Sequence, residues 1–181
     1  DLAVTVRARP SDIWPWLAQM GYQRGGFYGY DRLDRLFGFP SRPSADVVLP
    51  QFQDLKEGDI IPTGSCRVFP VKLVVKERDL VLAGEDKDTD WSWEFALDPW
   101  EEGTTRLISR NRVNYPRTVA GTMNMAMMEP VAFLMTRHML LNIKQRAERL
   151  AREREQAEEL DRVYATWDAM PTTVRPADGP S

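Results

Sequence analysis

The sequence has one cysteine and one histidine, Cys66 and His138, and this scarcity excludes several kinds of site. A single thiol cannot close an intramolecular disulfide. Zinc sites made of cysteine and histidine need several such ligands, so we expect no metal. A serine nucleophile would have only His138 available as its base. We therefore expect no cofactor and no covalent catalysis.

A strong net charge and a long apolar run are also missing. The formal net charge is -3 at pH 7, which gives no basic field for nucleic acid. The most apolar stretch, residues 123–143, is broken by charged and polar residues, whereas a membrane-spanning helix needs about 18 apolar residues or more. We expect a soluble, cytoplasmic protein without a nucleic-acid partner or a membrane span.

Alternation of apolar and polar residues predicts several strands. They fall at residues 2–8, 59–62, 66–82 with a turn at Arg78-Asp79, 90–99 and 104–115. In the third, the alternation places Phe69, Val71, Leu73 and Val75 on one face. The fourth is the clearest, since its odd positions are Trp91, Trp93, Phe95 and Leu97.

Helical patterns follow the first strand and fill the end of the chain. A short helix after Pro10, capped by Ser11 or Asp12, is predicted to end at Gly21. A second short helix is predicted from Asp31. After residue 116 the pattern is helical, with a bend or restart at Pro130. This order of strands and helices indicates an α+β fold.

The first third of the chain resembles a known superfamily. The matching segments are Arg-Pro-Ser-Asp-Ile-Trp-Pro-Trp-Leu at residues 9–17, Phe-Tyr-Gly-Tyr-Asp at 27–31 and Phe-Gln-Asp-Leu-Lys-Glu-Gly-Asp at 52–59. They resemble uncharacterised bacterial members of the SRPBCC, or START-like, superfamily, and the similarity extends over about residues 4–149. The resemblance implies a helix-grip fold, in which a curved antiparallel sheet wraps a long C-terminal helix around a hydrophobic cavity.

Three segments are distinguished by composition. Residues 1–150 form the START-like domain, residues 151–170 a charged helical extension, and residues 171–181 a proline-rich, disordered tail. A mainly apolar seam, mostly at steps of three and four, begins at Ile143 and continues through the extension to Trp167. Such a seam can dock on the domain's own flank or on a second copy, so we expect a monomer or a weak homodimer.

Large aromatic and flexible apolar residues are the first candidates for a binding site. Two indoles at alternate strand positions are either core or the wall of a cavity. Methionines 127 and 135 belong to a methionine-rich stretch that suits variable apolar shapes. Glycine-rich turns would bring two tyrosines over a pocket mouth. The candidates are Trp91, Trp93, Met127, Met135, Tyr28 and Tyr30.

Polar candidates come from the last strand and the last helix. If Leu107 points inward, Ser109 and Asn111 do so too. If the even-numbered positions of the strand form the inner face instead, Arg110 points inward and could bind an anionic group. His138 is a further candidate, either as a ligand contact or as a satisfied residue at the helix edge.

The preferred function is binding of a small hydrophobic or lipid-like molecule in an internal cavity. The alternatives are a polyketide-cyclase-like or dehydratase-type enzyme that uses the same cavity, and a scaffold acting through the C-terminal helix. An enzyme needs a titratable group inside the cavity, and the sequence offers few, so we favour a non-enzymatic protein.

Overall fold

The fold is a curved antiparallel sheet of six strands combined with helices, as seen in a computed structural model. The model describes residues 1–29, 43–63, 68–86, 89–114 and 119–169. The described strands are β1 (Leu2–Val6), β2 (Ile60–Pro62), β3 (Val68–Val75), β4 (Asp79–Asp86), β5 (Thr89–Pro99) and β6 (Thr105–Asn114). The described helices are α1 (Pro10–Ala18) and α2 (Val119–Ala169), with a 3₁₀ turn at Pro50–Phe52. This α+β arrangement fits a helix-grip-like fold.

The strand order places the first and last strands side by side. The order is β1-β6-β5-β4-β3-β2, with every neighbouring pair antiparallel. One face, here called the inner face, contributes apolar side chains to a core shared with α1 and the middle of α2. Fully buried members of this core are Trp16, Leu17, Leu80, Leu82, Phe95, Leu97, Leu107, Leu140, Ile143 and Ala147.

The predicted face of β3 is wrong in its second half. Val71 pairs with Leu82, but the register then shifts, and Val74 pairs with the inward Leu80. Consequently Val74 is half-buried, while Leu73 and Val75 lie on the outer face with about two-fifths of their surface exposed. A β-bulge adds one residue and reverses the alternation, which a regular period of two does not reveal.

Helix α1 starts two or three residues earlier than predicted. Pro10 is its first residue, where a missing N–H costs little, and Arg9 is the N-cap. Asp12 lies in the first turn of the helix, and its carboxylate accepts a hydrogen bond from the backbone N–H of Arg9 at 3.1 Å. Pro15 lies within the helix, not at its start. The second short helix, predicted from Asp31, lies outside the described residues, as does the tail after 169.

Helix α2 is continuous for 51 residues and runs through Pro130, where a bend or restart was expected. It packs on β1 and α1 through one side, in which Met139, Leu140, Ile143, Ala147 and Ala151 are buried. No helix among the described residues is long and apolar enough to cross a membrane.

Two contacts fix the register of α2 along β1, an edge strand. Lys144 Nζ donates to the Thr5 carbonyl at 2.7 Å, and the Glu148 carboxylate accepts the Arg7 N–H at 3.0 Å. Long side chains of α2 thereby occupy backbone groups that an edge strand would otherwise present to solvent. The helix and the strand advance in the same direction.

Candidate ligand-binding face

The register of β6 decides which of its side chains lie on the inner face. Leu107 pairs with Leu97, Ser109 with Phe95 and Asn111 with Trp93. The Trp93 indole donates to the Ser109 hydroxyl at 2.8 Å, and Ser109 is only 2% exposed. Arg110 lies on the opposite face, where it forms an ion pair with Glu94 at 2.7 Å. Of the two alternatives in the sequence, the one with Ser109 and Asn111 inward is therefore the one adopted.

An aromatic cluster covers the inner face of β3 and β5. The Phe69 ring makes edge contacts with Phe27, Trp91 and Trp93, with centroids 6.0, 4.9 and 5.8 Å apart. Trp93 also contacts Phe95 at 4.9 Å. Edge-to-face packing of this kind fixes ring orientation beyond what area burial provides. The cluster therefore forms a pre-ordered apolar surface.

Gly84 makes room for one of these rings. It pairs with Trp91 across β4 and β5, and a Cβ at this position would lie 3.0 Å from indole atoms of Trp91. The indole therefore lies directly over the glycine backbone. An aromatic side chain over a strand glycine covers main chain that would otherwise be solvated.

The inner face is closed at one end and open at the other. Along β6, Leu107 and Ser109 are buried, but Asn111 is exposed and Val113 is 38% exposed. On β5, Phe95 is buried, whereas Trp91 and Trp93 are half-buried. We call the region of Trp91, Trp93, Asn111 and Val113 the open end.

The side chains of helix α2 also pass from buried to exposed. Met139 is 3% exposed, but Met135, one turn earlier on the same side, is 40% exposed. Residues 131–135 precede Lys144 by about 14–20 Å of helix, which corresponds to about four to six strand residues. With α2 taken as parallel to β1, the contact of Lys144 with Thr5 and the pairing of Thr5 with Arg106 set residues 131–135 about level with residues 110–112 of β6.

This part of α2 presents a group of apolar side chains to solvent. Its exposed members are Val131, Phe133, Leu134 and Met135.

Tyr28 does not lie at a pocket mouth. Its side chain is fully buried, and its ring stands edge-on to Trp16 with centroids 6.2 Å apart. Burial raises the pKa of Tyr28 well above its usual range, although hydrogen bonding to Gln19 and the nearby Arg146 charge oppose the shift. A positive φ of 55° at Tyr28 turns the backbone so that Asn142 Nδ2 donates to its carbonyl at 2.7 Å.

Gln19 is a buried hub that the sequence did not reveal. Its Nε2 donates to the Tyr28 hydroxyl at 3.0 Å and to the Val47 carbonyl at 3.2 Å, and its Oε1 accepts the Leu49 N–H at 2.8 Å. A lone glutamine at a helix end has no periodic signal, and two of its partners, Val47 and Leu49, lie about thirty residues away. Gly25 allows this network, because a Cβ there would come within 2.7 Å of Gln19 and Tyr28 atoms.

The remaining candidates are dispersed. His138 is half-buried on α2. Met127 falls where only the backbone of α2 is described, and Tyr30 lies outside the described residues. The described residues contain no group of three or more histidine, cysteine, aspartate or glutamate side chains that could hold a metal. The structure thus brings together Trp91, Trp93, Ser109 and Asn111, whereas Met135 is exposed on α2.

The chain is similar in fold to a solved structure. No protein-family model matches the sequence, and no curated protein matches it either. Among solved structures, the crystal structure of protein MLL2253 from Mesorhizobium loti is similar with a TM-score of 0.43 and 16% identity. The match covers 82% of this chain and 96% of that one.

Proposed function

We propose that the protein binds a small hydrophobic molecule at the open end of the inner face, against Trp91 and Trp93. One observation carries this proposal. Strand β6 passes from buried to exposed between Ser109 and Asn111, and helix α2 does so between Met139 and Met135. Apolar side chains are exposed on both elements beyond these points, which favours a ligand site there.

The side chains at this end suit an apolar ligand that is oriented by few polar contacts. The Trp91 and Phe69 rings are held in place by their neighbours, so ligand binding requires little further ordering of side chains. Met135 can adapt to different ligand shapes, because its side chain is unbranched and flexible. Asn111 brings an amide at the edge of the aromatic surface. The Trp93 N–H is already used by Ser109, so Asn111 is the polar group that would position the ligand.

The helix-grip-like architecture and the sequence resemblance together favour membership of the START-like superfamily, with binding as the function. A cavity between the aromatic cluster and α2, open to solvent at this end, is part of this proposal. We also assign binding without catalysis, in a monomer or weak homodimer.

A neutral apolar fluorophore tests the proposal. N-phenyl-1-naphthylamine should bind, and should do so with energy transfer from tryptophan. Met135→Lys places a charge in the proposed site at an exposed position that folding tolerates, and should weaken binding about tenfold or more, roughly 1.4 kcal/mol. Leu160→Lys is the matched control, since Leu160 is 48% exposed on the same helix but far from the open end.

A second pair of variants tests the strand side. Trp93→Ala should weaken binding similarly, whereas Trp100→Ala should not, because Trp100 is 59% exposed at the opposite end of β5. Equal losses in both members of either pair, or no binding by the wild type, would refute the site. Native mass spectrometry of protein purified from its own host should show a co-purified apolar molecule that Met135→Lys releases.

A further inference from the structure

A polar recess on the other flank of α2 is a second candidate site. It lies between the helix and the loop that contains Ala45 and Asp46, and it has a volume of about 280 Å³. A water molecule in the liquid occupies about 30 Å³, so the recess accommodates a small anion with part of its hydration. Its lining residues are Asp46, Asn142, Gln145, Arg146, Arg149 and Arg152.

Arg146 forms a fixed wall of this recess. Its guanidinium donates to the Ala45 carbonyl at 2.9 Å, pairs with the Asp46 carboxylate at 2.7 Å, and lies 5.2 Å from the centroid of the Tyr28 ring. The side chain is only 14% exposed. These contacts hold the loop against the helix and also neutralise the one carboxylate of the lining.

Arg149 and Arg152 retain donors for a ligand. Arg149 donates one guanidinium nitrogen to the Asp46 carbonyl, and its Nε is 3.7 Å from the Glu153 carboxylate, a long ion pair on an exposed surface. Arg152 makes no side-chain hydrogen bond or ion pair with the residues that the structure describes. The Gln145 amide adds a further polar group at the same flank.

The charges of the lining leave this recess positive in a protein whose net charge is -3. Three guanidiniums face one carboxylate that Arg146 already pairs. Guanidinium forks match the tetrahedral oxygens of phosphate and bind them by charge-assisted hydrogen bonds. We propose that the recess binds a phosphate group, with Arg149 and Arg152 as its ligands and Arg146 as the residue that positions the loop.

The direct test uses inorganic phosphate as the probe. Amide and arginine Nε shifts are followed by ¹H–¹⁵N NMR during a phosphate titration, with sodium chloride keeping the ionic strength constant. Saturable shifts at Arg149, Arg152 and Gln145 are expected at millimolar phosphate. Absence of saturable shifts in the wild type up to about 50 mM, where even an affinity of about -2 kcal/mol would show, overturns the proposal.

Matched variants separate a site from general charge attraction. Arg152→Gln and Arg149→Gln should each weaken phosphate binding at least tenfold. Arg162→Gln removes the same charge from the same helix and should leave it unchanged, because Arg162 is 71% exposed and pairs with Glu159 away from the recess. Equal weakening in all three variants overturns the proposal.

Two further variants are expected to strengthen phosphate binding or to retain part of it. Glu153→Gln frees Arg149 of its ion-pair partner and should strengthen binding. Arg152→Lys keeps the charge but loses the planar fork, so it should bind more tightly than Arg152→Gln and more weakly than the wild type. Circular dichroism and melting temperature confirm that each variant is folded before its affinity is compared.

The phosphate group can come from a small phosphorylated molecule or from a phospholipid head group. Vesicles of phosphatidylcholine, with and without phosphatidic acid, distinguish these sources by co-sedimentation. Retention on phosphatidic acid vesicles that Arg152→Gln abolishes supports a lipid source, while saturable binding of free phosphate without retention supports a soluble one. Absence of saturable phosphate shifts overturns the phosphate site whatever the vesicles show, but leaves the apolar site untouched, since N-phenyl-1-naphthylamine reports on that site separately.

Discussion

The indole nitrogen of Trp93 donates to the Ser109 hydroxyl at 2.8 Å across β5 and β6. This bond gives the side-chain hydroxyl of a nearly buried serine a hydrogen-bond donor and fixes the indole ring in the aromatic cluster. It lies at the boundary between the closed core and the open end. The contact therefore links the stability of the sheet with the shape of the proposed site.

We predict that Trp93 and Ser109 are energetically coupled. Trp93→Phe keeps an aromatic ring but leaves the buried hydroxyl of Ser109 without its donor, which should cost about 1–3 kcal/mol of unfolding free energy. Ser109→Ala should cost less in the Trp93→Phe background than in the wild type, giving a coupling of about 0.5–1.5 kcal/mol. Urea unfolding of the four proteins measures it. Additive effects within about 0.3 kcal/mol would contradict an energetic role for the bond.

The space above Gly84 gives a second prediction. β-propensity alone predicts that valine stabilises a strand relative to glycine. A Cβ here would meet the Trp91 indole at 3.0 Å, so Gly84→Val should instead destabilise the protein by about 1–3 kcal/mol through overpacking. The displaced indole should also shift the tryptophan emission maximum.

Ala83→Val is the matched control, because the adjacent residue points to the opposite face of β4. It should show no comparable loss and no emission shift. A Gly84→Val protein as stable as the wild type would mean that Trp91 is not held over the glycine.

Sequence patterns predicted the strands well where burial alternates regularly. The odd positions of β5 lie inward as expected, because each contributes a large apolar side chain to one face. The pattern failed for β3, where a bulge shifts the register after Val71. The alternation of apolar and polar residues indicates the face on which a side chain lies only where the strand contains no bulge.

The candidate site was predicted in part. Ser109 and Asn111 lie on the inner face because of how β6 pairs with β5. The sequence of β6 alone does not determine this pairing. Tyr28 was expected in the site because aromatic residues near glycines suggested a mouth. Its burial depends on Gln19, Ser44 and Asn142, which are far apart in sequence, so no local signal predicted it.

A third prediction concerns the contact that ties the far part of α2 to α1. Asp12 is 4% exposed, and its carboxylate accepts from Arg154 Nη1 at 3.0 Å. Asp12→Asn removes the charge at nearly constant shape and leaves the Arg154 guanidinium with only Glu158, at 3.4 Å. We expect a loss of about 1–3 kcal/mol in unfolding free energy, with faster amide exchange in residues 155–167.

Glu159→Gln is the control for this contact. It breaks the Arg162 pair, in which both side chains are more than 60% exposed, and exposed pairs contribute about 0–1 kcal/mol. A similar loss in both variants, or unchanged exchange in Asp12→Asn, would show that the Asp12–Arg154 contact does not dock the helix.

The last prediction is that Tyr28 makes the protein less stable at alkaline pH. Burial raises the pKa of Tyr28 in the folded protein, while an unfolded tyrosine releases its proton near pH 10. The folded state therefore keeps a proton that the unfolded state loses. Its stabilising contribution is complete below about pH 10 and falls as the pH rises towards the folded pKa, with a limiting slope of about 1.4 kcal/mol per pH unit.

Tyr28→Phe removes this titration together with the hydrogen bond from Gln19. At pH 7 the variant should be less stable by about 1 kcal/mol, and between about pH 10 and 11.5 the difference should shrink as the wild type loses stability. Burial lowers the pKa of Arg24, but this acts equally in both proteins and cancels in the comparison. Urea unfolding at a series of pH values measures the two curves. Parallel curves through this range would mean that the Tyr28 hydroxyl is accessible to water in the folded protein, and that the Gln19 hub does not hold it buried.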